Sequence, residues 1–566
     1  AGTAGARITG NCLVNVAANA LGGMVTNSGS DLCIRINAIS SNKAGIVVAN
    51  ATGTNQILSN TVSKAATDGI NVDNATNLTV DKNTIRNTGA DGIDIRNSAG
   101  AQITANRVGF NSQTDTAAGA GNIKGDGIKL TSSNNAAIKG NKVTDTSSTG
   151  FDIGSGIHVS ASDDVTVGGS NVADGNIVST SAWDGIKVVN GANATLSNNI
   201  VSGSSRVGIF GGNLQTANIS NNTVSGTNAT LDSYGAISTD GGSNITINSN
   251  RINEADGSFS VGQGIRINGA GGSNLIASNH INNVWGSGIY VNDSTNVTIG
   301  GESDVDGNRI FHAGYDGIFG TRLSTLGGNT RVANNSITQS GHDGIHLDTV
   351  ENTRITNNRI TDAGNDGIHA NNLSLTSGVM VASLVDEGDS VNARPIFLGR
   401  NQSVISGNTI NDVVRDGINL ESILNAYVVD NTINDTGRDG INASNLTVTN
   451  TRGFVKDIAV RERGVLGMIV GDDIGDDNSF NRSIISGNRI NVNDKKDNVE
   501  IASRENERRR DIFTSGRDGI HVEGSENTLI TENTIRNVGR DGINVRDCRV
   551  TPSVVFVKLL LFENGV

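Results

Sequence analysis

Proline, cysteine and aromatic residues are scarce in this sequence. Of its 566 residues only two are proline, three are cysteine, 3% are aromatic and 35% are hydrophobic. The chain is long enough for several domains, but it has too few large apolar side chains for one large mixed core. No apolar run approaches the roughly 20 residues that a membrane helix needs, and the longest, residues 554–562, is interrupted by Lys558. We expect a soluble or peripherally attached protein.

Positive charge is also in short supply. The formal net charge of −13 predicts a surface that repels nucleic acid and anionic lipid and suits cations or neutral and basic partners. The chain begins at Ala1 without a basic and then apolar leader, as a secreted protein does after signal-peptide removal, or as a chain trimmed for expression does. We therefore predict an extracellular or cell-surface location and no nucleic-acid partner.

A repeat is the strongest pattern that is present. The motif Asn-x-(Ile/Val) recurs throughout the chain, and its commonest interval is the one that separates Asn60 from Asn83. It occurs at Asn60, Asn83, Asn106, Asn141, Asn176, Asn199, Asn222, Asn250, Asn279, Asn308, Asn335, Asn358, Asn408, Asn431, Asn488 and Asn533. A second landmark, usually Asp-Gly-Ile, follows each motif at a nearly constant distance, as at Gly69, Gly92, Gly127, Gly185, Gly344 and Gly367. Disorder is the competing interpretation of so polar a composition, but disordered chains lack such regularly recurring Ile and Val.

The repeat predicts short strands that stack turn upon turn. Stretches such as Thr353-Arg-Ile-Thr alternate between apolar and polar residues, as strands with one buried face do. One repeat cannot bury its own apolar face, so we expect three short strands per turn and a core shared between turns. The recurring Asn predicts a ladder of side-chain amides, and the glycine of Asp-Gly-Ile predicts a bend with positive φ.

With these motifs, and with Val297-Thr-Ile-Gly-Gly before Asp306-Gly-Asn, the chain resembles the right-handed parallel β-helix repeat family of the pectate-lyase-like superfamily. The resemblance covers nearly the whole chain and implies an all-β solenoid of about 17 or more turns. It implies much less about function, because relatives include polysaccharide lyases, hydrolases, alginate epimerases, phage tailspikes and adhesins.

Departures from the period suggest the domain organisation. We predict an N-terminal cap and first turns in residues 1–44, a regular β-helix in 45–370, and a β-helix with inserted hairpins in 371–566. The hairpins are predicted at about 371–402, 445–482 and 550–566, and a charged loop, or alternatively a basic docking patch, at about 490–515. The last hairpin ends the chain with an apolar strand that predicts self-association through Val554, Phe556, Leu560 and Phe562.

Cysteine spacing gives one further expectation. Cys12 and Cys33 are separated by close to one repeat, which predicts adjacent stacked strands and a disulfide between them. Two buried thiols are the alternative. Cys548 is left as a free or intermolecular thiol.

The candidate catalytic residues are His346, His369, Asp348 and Tyr315, which cluster near the Asp-Gly-Ile landmarks of successive repeats. An enzyme acting beside a uronate needs a base, a proton donor and a group that neutralises the carboxylate, and these residue types supply them. The simpler alternative is structural. The Asp of each landmark would cap a turn, and the repeat position that His346 occupies would be a polar position where either His or Asn is tolerated.

Two other sets of residues are candidate binding sites. A ladder of Asp68, Asp91 and Asp126 would bring like charges together, and Ca²⁺ would relieve their repulsion, although no cofactor is required and His or Cys ligation has no supporting spacing. Sugar-binding surfaces present aromatic rings, and the few candidates are Trp183, Trp285, Tyr290, Tyr315 and Tyr427. Ordinary turn packing of these rings is the alternative.

Two functions fit these patterns. The first is an extracellular structural or adhesive protein that assembles with itself into a filament, sheath or coat, with a polysaccharide as a further partner. The second is a polysaccharide lyase or epimerase acting on an acidic glycan. The uniform repeat and scarce aromatic residues favour the first, and the cluster around His346 favours the second.

Overall fold

The computed structural model describes residues 7–9, 12–16, 22–41, 43–110, 122–147, 153–227, 234–253, 262–324, 330–374, 403–424, 426–447, 483–491, 518–525 and 528–548. Of the predicted insertions, almost all of the three hairpins and the charged loop lie outside these residues, as do the four predicted assembly residues. The chain divides into an N-terminal unit, Ala1–His346, and a C-terminal unit, Leu347–Val566.

Three parallel sheets make up the N-terminal unit, and each turn of the chain adds one strand to each sheet. Sheet 1 contains Arg7–Thr9, Cys33–Arg35, Asn55–Leu58, Leu78–Asp81, Gln102–Thr104, Ala137–Lys139, Thr166–Gly168, Ala192–Ser197, Gln215–Ser220, Ser243–Asn248, Asn274–Ala277, Val297–Gly300 and Thr330–Ala333. Sheet 2 contains Cys12–Val16, Ala38–Ser41, Thr61–Ser63, Thr84–Arg86, Arg107–Val108, Lys142–Thr144, Ile177–Ser181, Ile200–Ser204, Thr223–Ser225, Arg251–Asn253, His280–Val284, Arg309–Ala313 and Ser336–Ser340. Sheet 3 contains Gly22–Asn27, Ala44–Ala51, Ile70–Ala75, Ile93–Arg96, Ile128–Thr131, Ile157–Ser160, Ile186–Val189, Ile209–Gly212, Gly235–Asp240, Gln263–Asn268, Ile289–Asn292 and Ile318–Leu323.

The C-terminal unit has the same three-strand repeat. Its first sheet contains Thr353–Thr356, Ser403–Ser406, Ala426–Val429, Ser483–Ser486 and Thr528–Thr531. Its second contains Arg359–Ala363, Thr409–Val413, Thr432–Thr436, Arg489–Asn491 and Thr534–Arg536, and its third Ile368–Asn371, Ile418–Glu421, Ile441–Ser444, Ile520–Glu523 and Ile543–Arg546. The strand Ile345–Val350 contains the division between the units. Three short parallel strands per turn, as predicted, are confirmed.

Helix is confined to one short 3₁₀ turn, Val172–Asp174, in the described part of the chain. Within the same residues, no helix is long and apolar enough to cross a membrane.

The core of each unit consists of columns of aliphatic side chains. In sheet 3, isoleucines stand in register on successive strands and are fully buried: Ile70, Ile93, Ile128, Ile157, Ile186, Ile209, Ile237, Ile265, Ile289 and Ile318. Each of these side chains packs on the same residue type one turn away, so every turn shields its neighbours from water.

An asparagine ladder runs along one bend of each unit, as the sequence predicted. The Nδ2 of Asn176 donates to Oδ1 of Asn199 at 2.9 Å, and Nδ2 of Asn199 donates to Oδ1 of Asn222 at 3.0 Å. The second Nδ2 hydrogen of Asn199 goes to the carbonyl of Val167, and its Oδ1 also accepts the backbone N–H of Asn176. Asn176, Asn199 and Asn222 are almost wholly buried, and this pattern satisfies the polar atoms of their side chains.

The landmark glycines have a different role from the one predicted. Gly69, Gly92 and Gly185 do not have positive φ, which occurs instead at residues that precede a ladder asparagine, such as Ser59 and Asn198. A Cβ on Gly185 would lie 2.2 Å from Cγ1 of Val201 and 2.7 Å from the carbonyl oxygen of Gly208. Glycine is therefore required because the next turn packs directly against its Cα.

The predicted placement of the cysteines is wrong. Cys33 pairs in register with Arg7 in sheet 1, whereas Cys12 pairs with Ala38 in sheet 2. By register the first turn extends from Arg7 to Cys33 and is longer than the common repeat. The shorter interval from Cys12 to Cys33 therefore places the two cysteines on different sheets instead of adjacent strands. Cys33 and Cys548 are free cysteines in the structure, and the predicted disulfide is absent.

Candidate functional site

The landmark aspartates cap successive turns. Oδ1 of Asp68 accepts the backbone N–H of Asp91 at 3.1 Å, and Oδ1 of Asp91 accepts that of Asp126 at 2.7 Å. In the C-terminal unit, Oδ1 of Asp416 accepts the N–H of Asp439 at 2.8 Å. The capping role predicted as the structural alternative is confirmed, because each carboxylate closes the bend of the following turn.

A polar residue three places after the aspartate completes this arrangement. Nδ2 of Asn71 donates to Oδ2 of Asp68 at 2.7 Å, and Nδ1 of His346 lies 3.2 Å from Oδ2 of Asp343. The same contact is made across turns by His158, Asn419 and Asn544. Histidine and asparagine are interchangeable here because either presents a nitrogen to the second carboxylate oxygen.

The structure brings three acidic residues together near the predicted calcium ligands. Asp68, Asp91 and Asp94 each offer one carboxylate oxygen, and these atoms lie within 4.8 Å of one another. Burial and the nearby charge of Asp126 raise the pKa of Asp91 to about 6, although Nζ of Lys129 lies 3.5 Å from its Oδ2. These three residues could hold a divalent cation, with two competing positive charges: Lys129, and Arg96, which pairs with Asp94.

Asp126, the third predicted ligand, has other partners. Its Oδ1 accepts the backbone N–H of Ser155 at 2.8 Å, and its Oδ2 lies 2.9 Å from Nδ1 of His158. Burial acts to raise the pKa of this carboxyl, but the hydrogen bond and charge of His158 lower it below its usual value. The sequence missed Asp94 as a member of the cluster, although it occupies the same position in its repeat as Asn71.

The four predicted catalytic residues are divided between the units. In the N-terminal unit, the His346 ring packs edge-on against Phe319 at 5.1 Å, and the Tyr315 ring lies 4.8 Å from that of His342. Burial and the charge of Asp343 raise the pKa of Asp316, which follows Tyr315, to about 6.

In the C-terminal unit, Oδ1 of Asp348 accepts a hydrogen bond from Nδ2 of Asn371 at 3.1 Å. His369 stands in register with Asn419 on the next strand of its sheet.

Aromatic side chains concentrate on the outer side of sheet 3 and on the bend that leads into it. We call Trp183, Phe210, Tyr234, Trp285, Tyr290, Tyr315 and Phe319 the aromatic face; they include both tryptophans and three of the four tyrosines of the chain. Tyr290 and Phe319 are register partners, and their rings stack at 5.2 Å. Trp285 and Tyr315 are 53% and 46% exposed, although aromatic rings are usually more buried.

Two arginines hold the N-terminal end of the aromatic face. The Arg206 guanidinium lies 4.8 Å from the Trp183 ring, 4.7 Å from the Phe210 ring and 4.9 Å from the Tyr234 ring. Its Nε donates to Oδ1 of Asp184 at 2.7 Å. The Arg266 guanidinium also lies near Tyr234, 5.6 Å from the centre of its ring. Cation–π contacts and the ion pair fix these rings in place.

Sequence reasoning found part of this face. Trp183, Trp285, Tyr290 and Tyr315 were predicted to be sugar-binding candidates, whereas Tyr427 is buried, and burial raises its pKa above the usual value. The prediction missed Phe210, Tyr234 and Phe319. Phe210 and Phe319 occupy the repeat position that is usually a polar residue after Asp-Gly-Ile. An aromatic residue at this position was therefore the sign in the sequence by which both could have been found.

Comparisons with known proteins identify the family. The sequence model of the right-handed β-helix region matches residues 1–123, 120–263, 263–383 and 325–456. The chain belongs to the right-handed β-helix family.

No curated protein matches the sequence of this β-helix protein. Among solved structures, it is similar to the Dettilon tailspike protein, with 15% identity and a TM-score of 0.32, over 62% of this chain and 60% of that one. It is also similar to a mutant tailspike protein of E. coli bacteriophage HK620 in complex with a pentasaccharide, with 12% identity and a TM-score of 0.35, over 65% of this chain and 72% of that one. A third similar structure is that of PfbA, a surface adhesin of Streptococcus pneumoniae, with 11% identity and a TM-score of 0.27, over 69% of this chain and 85% of that one. The β-helix protein spans less than two thirds of the first of these chains.

Proposed function

We propose that this β-helix protein is an extracellular adhesive protein and that its aromatic face binds a polysaccharide. The observation that carries the proposal is the concentration of rings on one face of a chain in which only 3% of residues are aromatic. Exposed rings with a fixed orientation offer flat apolar surfaces to the faces of sugar rings. Because the strands of sheet 3 stack along one direction and most of these turns add a ring, the rings follow the direction in which an extended polymer would lie.

The arginines support binding in preference to simple packing. Arg206 contacts three rings while its charge is neutralised by Asp184, and Oδ1 of Asp240 accepts a hydrogen bond from Nη1 of Arg266 at 2.6 Å. Trp183, Phe210 and Tyr234 are thus held in place before a ligand arrives, and these three side chains lose less entropy on binding. Trp285 and Tyr315 project further into water and are the rings most available to a sugar.

Affinity electrophoresis of the purified full chain through gels containing different polysaccharides tests the proposal. We expect retardation by at least one polysaccharide, and a loss of about tenfold or more in affinity for Trp285→Ala combined with Tyr315→Ala. Val172→Ala, which removes an 81% exposed apolar side chain elsewhere, is the control and should bind as the wild type does. Unchanged retardation of the double variant would refute a role for the aromatic face.

Self-association belongs to the same proposal. An apolar C-terminal strand containing Val554, Phe556, Leu560 and Phe562 would pair with another subunit through its open edge. Negative-stain electron microscopy of the full chain, and of a chain truncated before Thr551, tests this point. Regular assemblies that disappear on truncation support it, and assemblies that survive truncation unchanged refute it.

A lyase or epimerase acting on a uronate glycan is the second candidate. It is favoured by the pair His346 and Asp343 beside Asp316, whose raised pKa of about 6 suits proton transfer near neutral pH. Tyr315 would then supply or accept the second proton. An ultraviolet assay for unsaturated uronates, with an NMR assay for inverted uronate residues, tests it. Loss of turnover in His346→Gln would support the enzyme, and wild-type protein without turnover on any uronate polymer would exclude it.

A further inference from the structure

A column of three cationic or cation-forming side chains occupies the outer side of sheet 2. Arg251 stands in register with His280, and His280 with Arg309, on successive strands. All three side chains are exposed. Because adjacent strands are only about 4.8 Å apart, the three groups form a closely spaced row. The side chains above and below the row are Thr223 and Ser336, which carry no charge.

Several other arginines of the N-terminal unit differ from this row. Arg96, Arg206, Arg266, Arg322 and Arg331 each form an ion pair with an aspartate or glutamate. Among the residues that the structure describes, Arg251 and Arg309 have no such pair within 4.0 Å. Like charges opposite one another on neighbouring strands destabilise a sheet. In a chain with a net charge of −13, a positive row that pairs with none of the described carboxylates therefore indicates an anionic partner.

The surroundings of the row suggest the kind of partner. Phe311 is 44% exposed and stands two residues beyond Arg309 on the same side of the strand, in register with Asn282. Nδ2 of Asn282 donates to Oδ1 of Asn253 at 2.8 Å, so a polar amide pair lies beside the ring. An exposed ring and amides next to cations suit a sugar chain that carries anionic groups.

We propose that Arg251, His280 and Arg309 bind oxyanions on a polysaccharide chain, either sulfate esters or uronate carboxylates, with Phe311 contacting a sugar ring. The arginine forks can hold either group through two parallel hydrogen bonds. The site is on sheet 2 and uses none of the residues of the aromatic face, so it stands or falls separately from the proposed function. Partial burial and the charges of Arg251 and Arg309 lower the pKa of His280, and a bound anion would raise it again.

Calorimetric titration of the full chain tests the site with four probes of equal length: a uronate oligosaccharide, a sulfated oligosaccharide, a neutral oligosaccharide and an oligonucleotide. We expect one anionic oligosaccharide to bind, and Arg251→Gln combined with Arg309→Gln to weaken it about tenfold. Arg331→Gln removes an arginine that is paired with Glu302 in sheet 1 and should leave the affinity unchanged. The preferred anion identifies the natural group as sulfate or carboxylate.

Three results would overturn the inference. They are failure of both anionic oligosaccharides to bind, equal binding by the Arg251 and Arg309 double variant, and equal or tighter binding of the neutral sugar or the oligonucleotide. Thermal unfolding of each variant checks that it is folded. NMR titration of His280 gives an independent readout, because its pKa should rise on saturation with the anionic oligosaccharide and should not rise with the neutral one.

Discussion

Replacement of one ladder asparagine by alanine tests how much the ladder stabilises the solenoid. In Asn199→Ala, the backbone N–H and the Nδ2 of Asn176 both lose their acceptor, the Oδ1 of Asn199. The carbonyl of Val167 loses a donor as well. These groups are buried, and water cannot replace the lost partners without opening the turn.

The magnitude follows from the groups left unsatisfied. A buried donor without a partner costs about 1–3 kcal/mol, so the two donors of Asn176 cost roughly 2–6 kcal/mol in the free energy of unfolding. That is a large fraction of the roughly 5–15 kcal/mol by which folded proteins are stable. Because each turn contacts only its neighbours, the loss should be centred on the turns beside Asn199 and not spread evenly.

Urea unfolding followed by circular dichroism measures the total effect, and hydrogen exchange measures its location. The amide of Asn176 should exchange much faster in the variant. Asn218→Ala is the matched control, since Asn218 is an exposed asparagine on the sheet 1 strand of the next turn and should change stability by less than about 0.5 kcal/mol. If Asn199→Ala costs no more than this control, the ladder is not a stabilising element and the reasoning is wrong.

Three further predictions concern the landmark positions. Burial raises the pKa of Asp416 to about 7, above its unfolded value of 3.8. The stability that the protonated carboxyl provides is therefore lost as pH rises toward 7. In urea unfolding, Asp416→Asn should have a free energy of unfolding about 1 kcal/mol or more above that of the wild type at pH 8, but not at pH 4. Gly185→Ala should lower the melting temperature by several degrees, because the added Cβ would meet the next turn. Gly542→Ala is the control and should leave the melting temperature unchanged, because its Cβ would meet no atom within 4 Å. Equal melting temperatures of the two variants would contradict the close-approach argument. If Asp68, Asp91 and Asp94 bind Ca²⁺, millimolar Ca²⁺ should raise the melting temperature of Lys129→Gln more than that of the wild type. An equal rise in melting temperature with Mg²⁺ would argue against a specific Ca²⁺ site.

Most of the architecture was predictable from the repeat. The positions of Asn176 and Asn199 fixed the bend of each turn, and alternation around residues such as Ile355 fixed which side chains face the core. The capping role of the landmark aspartates was also predictable, because the same residue type recurs wherever the chain must bend. Each of these features depends on residues one turn apart, which a regular period reveals.

The parts of the candidate sites that escaped prediction depend on exceptions to the period. Cys12 and Cys33 were misplaced because the first turn is longer than the common repeat. The glycine of Asp-Gly-Ile was assigned the wrong constraint, since its φ and its contact with the next turn cannot be separated in a sequence. Arg206 was missed because it pairs with Asp184 of the preceding turn and not with a residue beside it in sequence.

The sequence by itself determined that this chain forms a parallel β-solenoid, because a one-dimensional repeat specifies the packing of each turn on the next. Tertiary structure alone decided which departures from the repeat meet in space. Only the register of the stacked strands shows that Tyr290 lies on Phe319, or that Arg251 and Arg309 flank His280. The reason is physical: insertions change the number of residues per turn, so separation along the chain no longer gives separation along the solenoid.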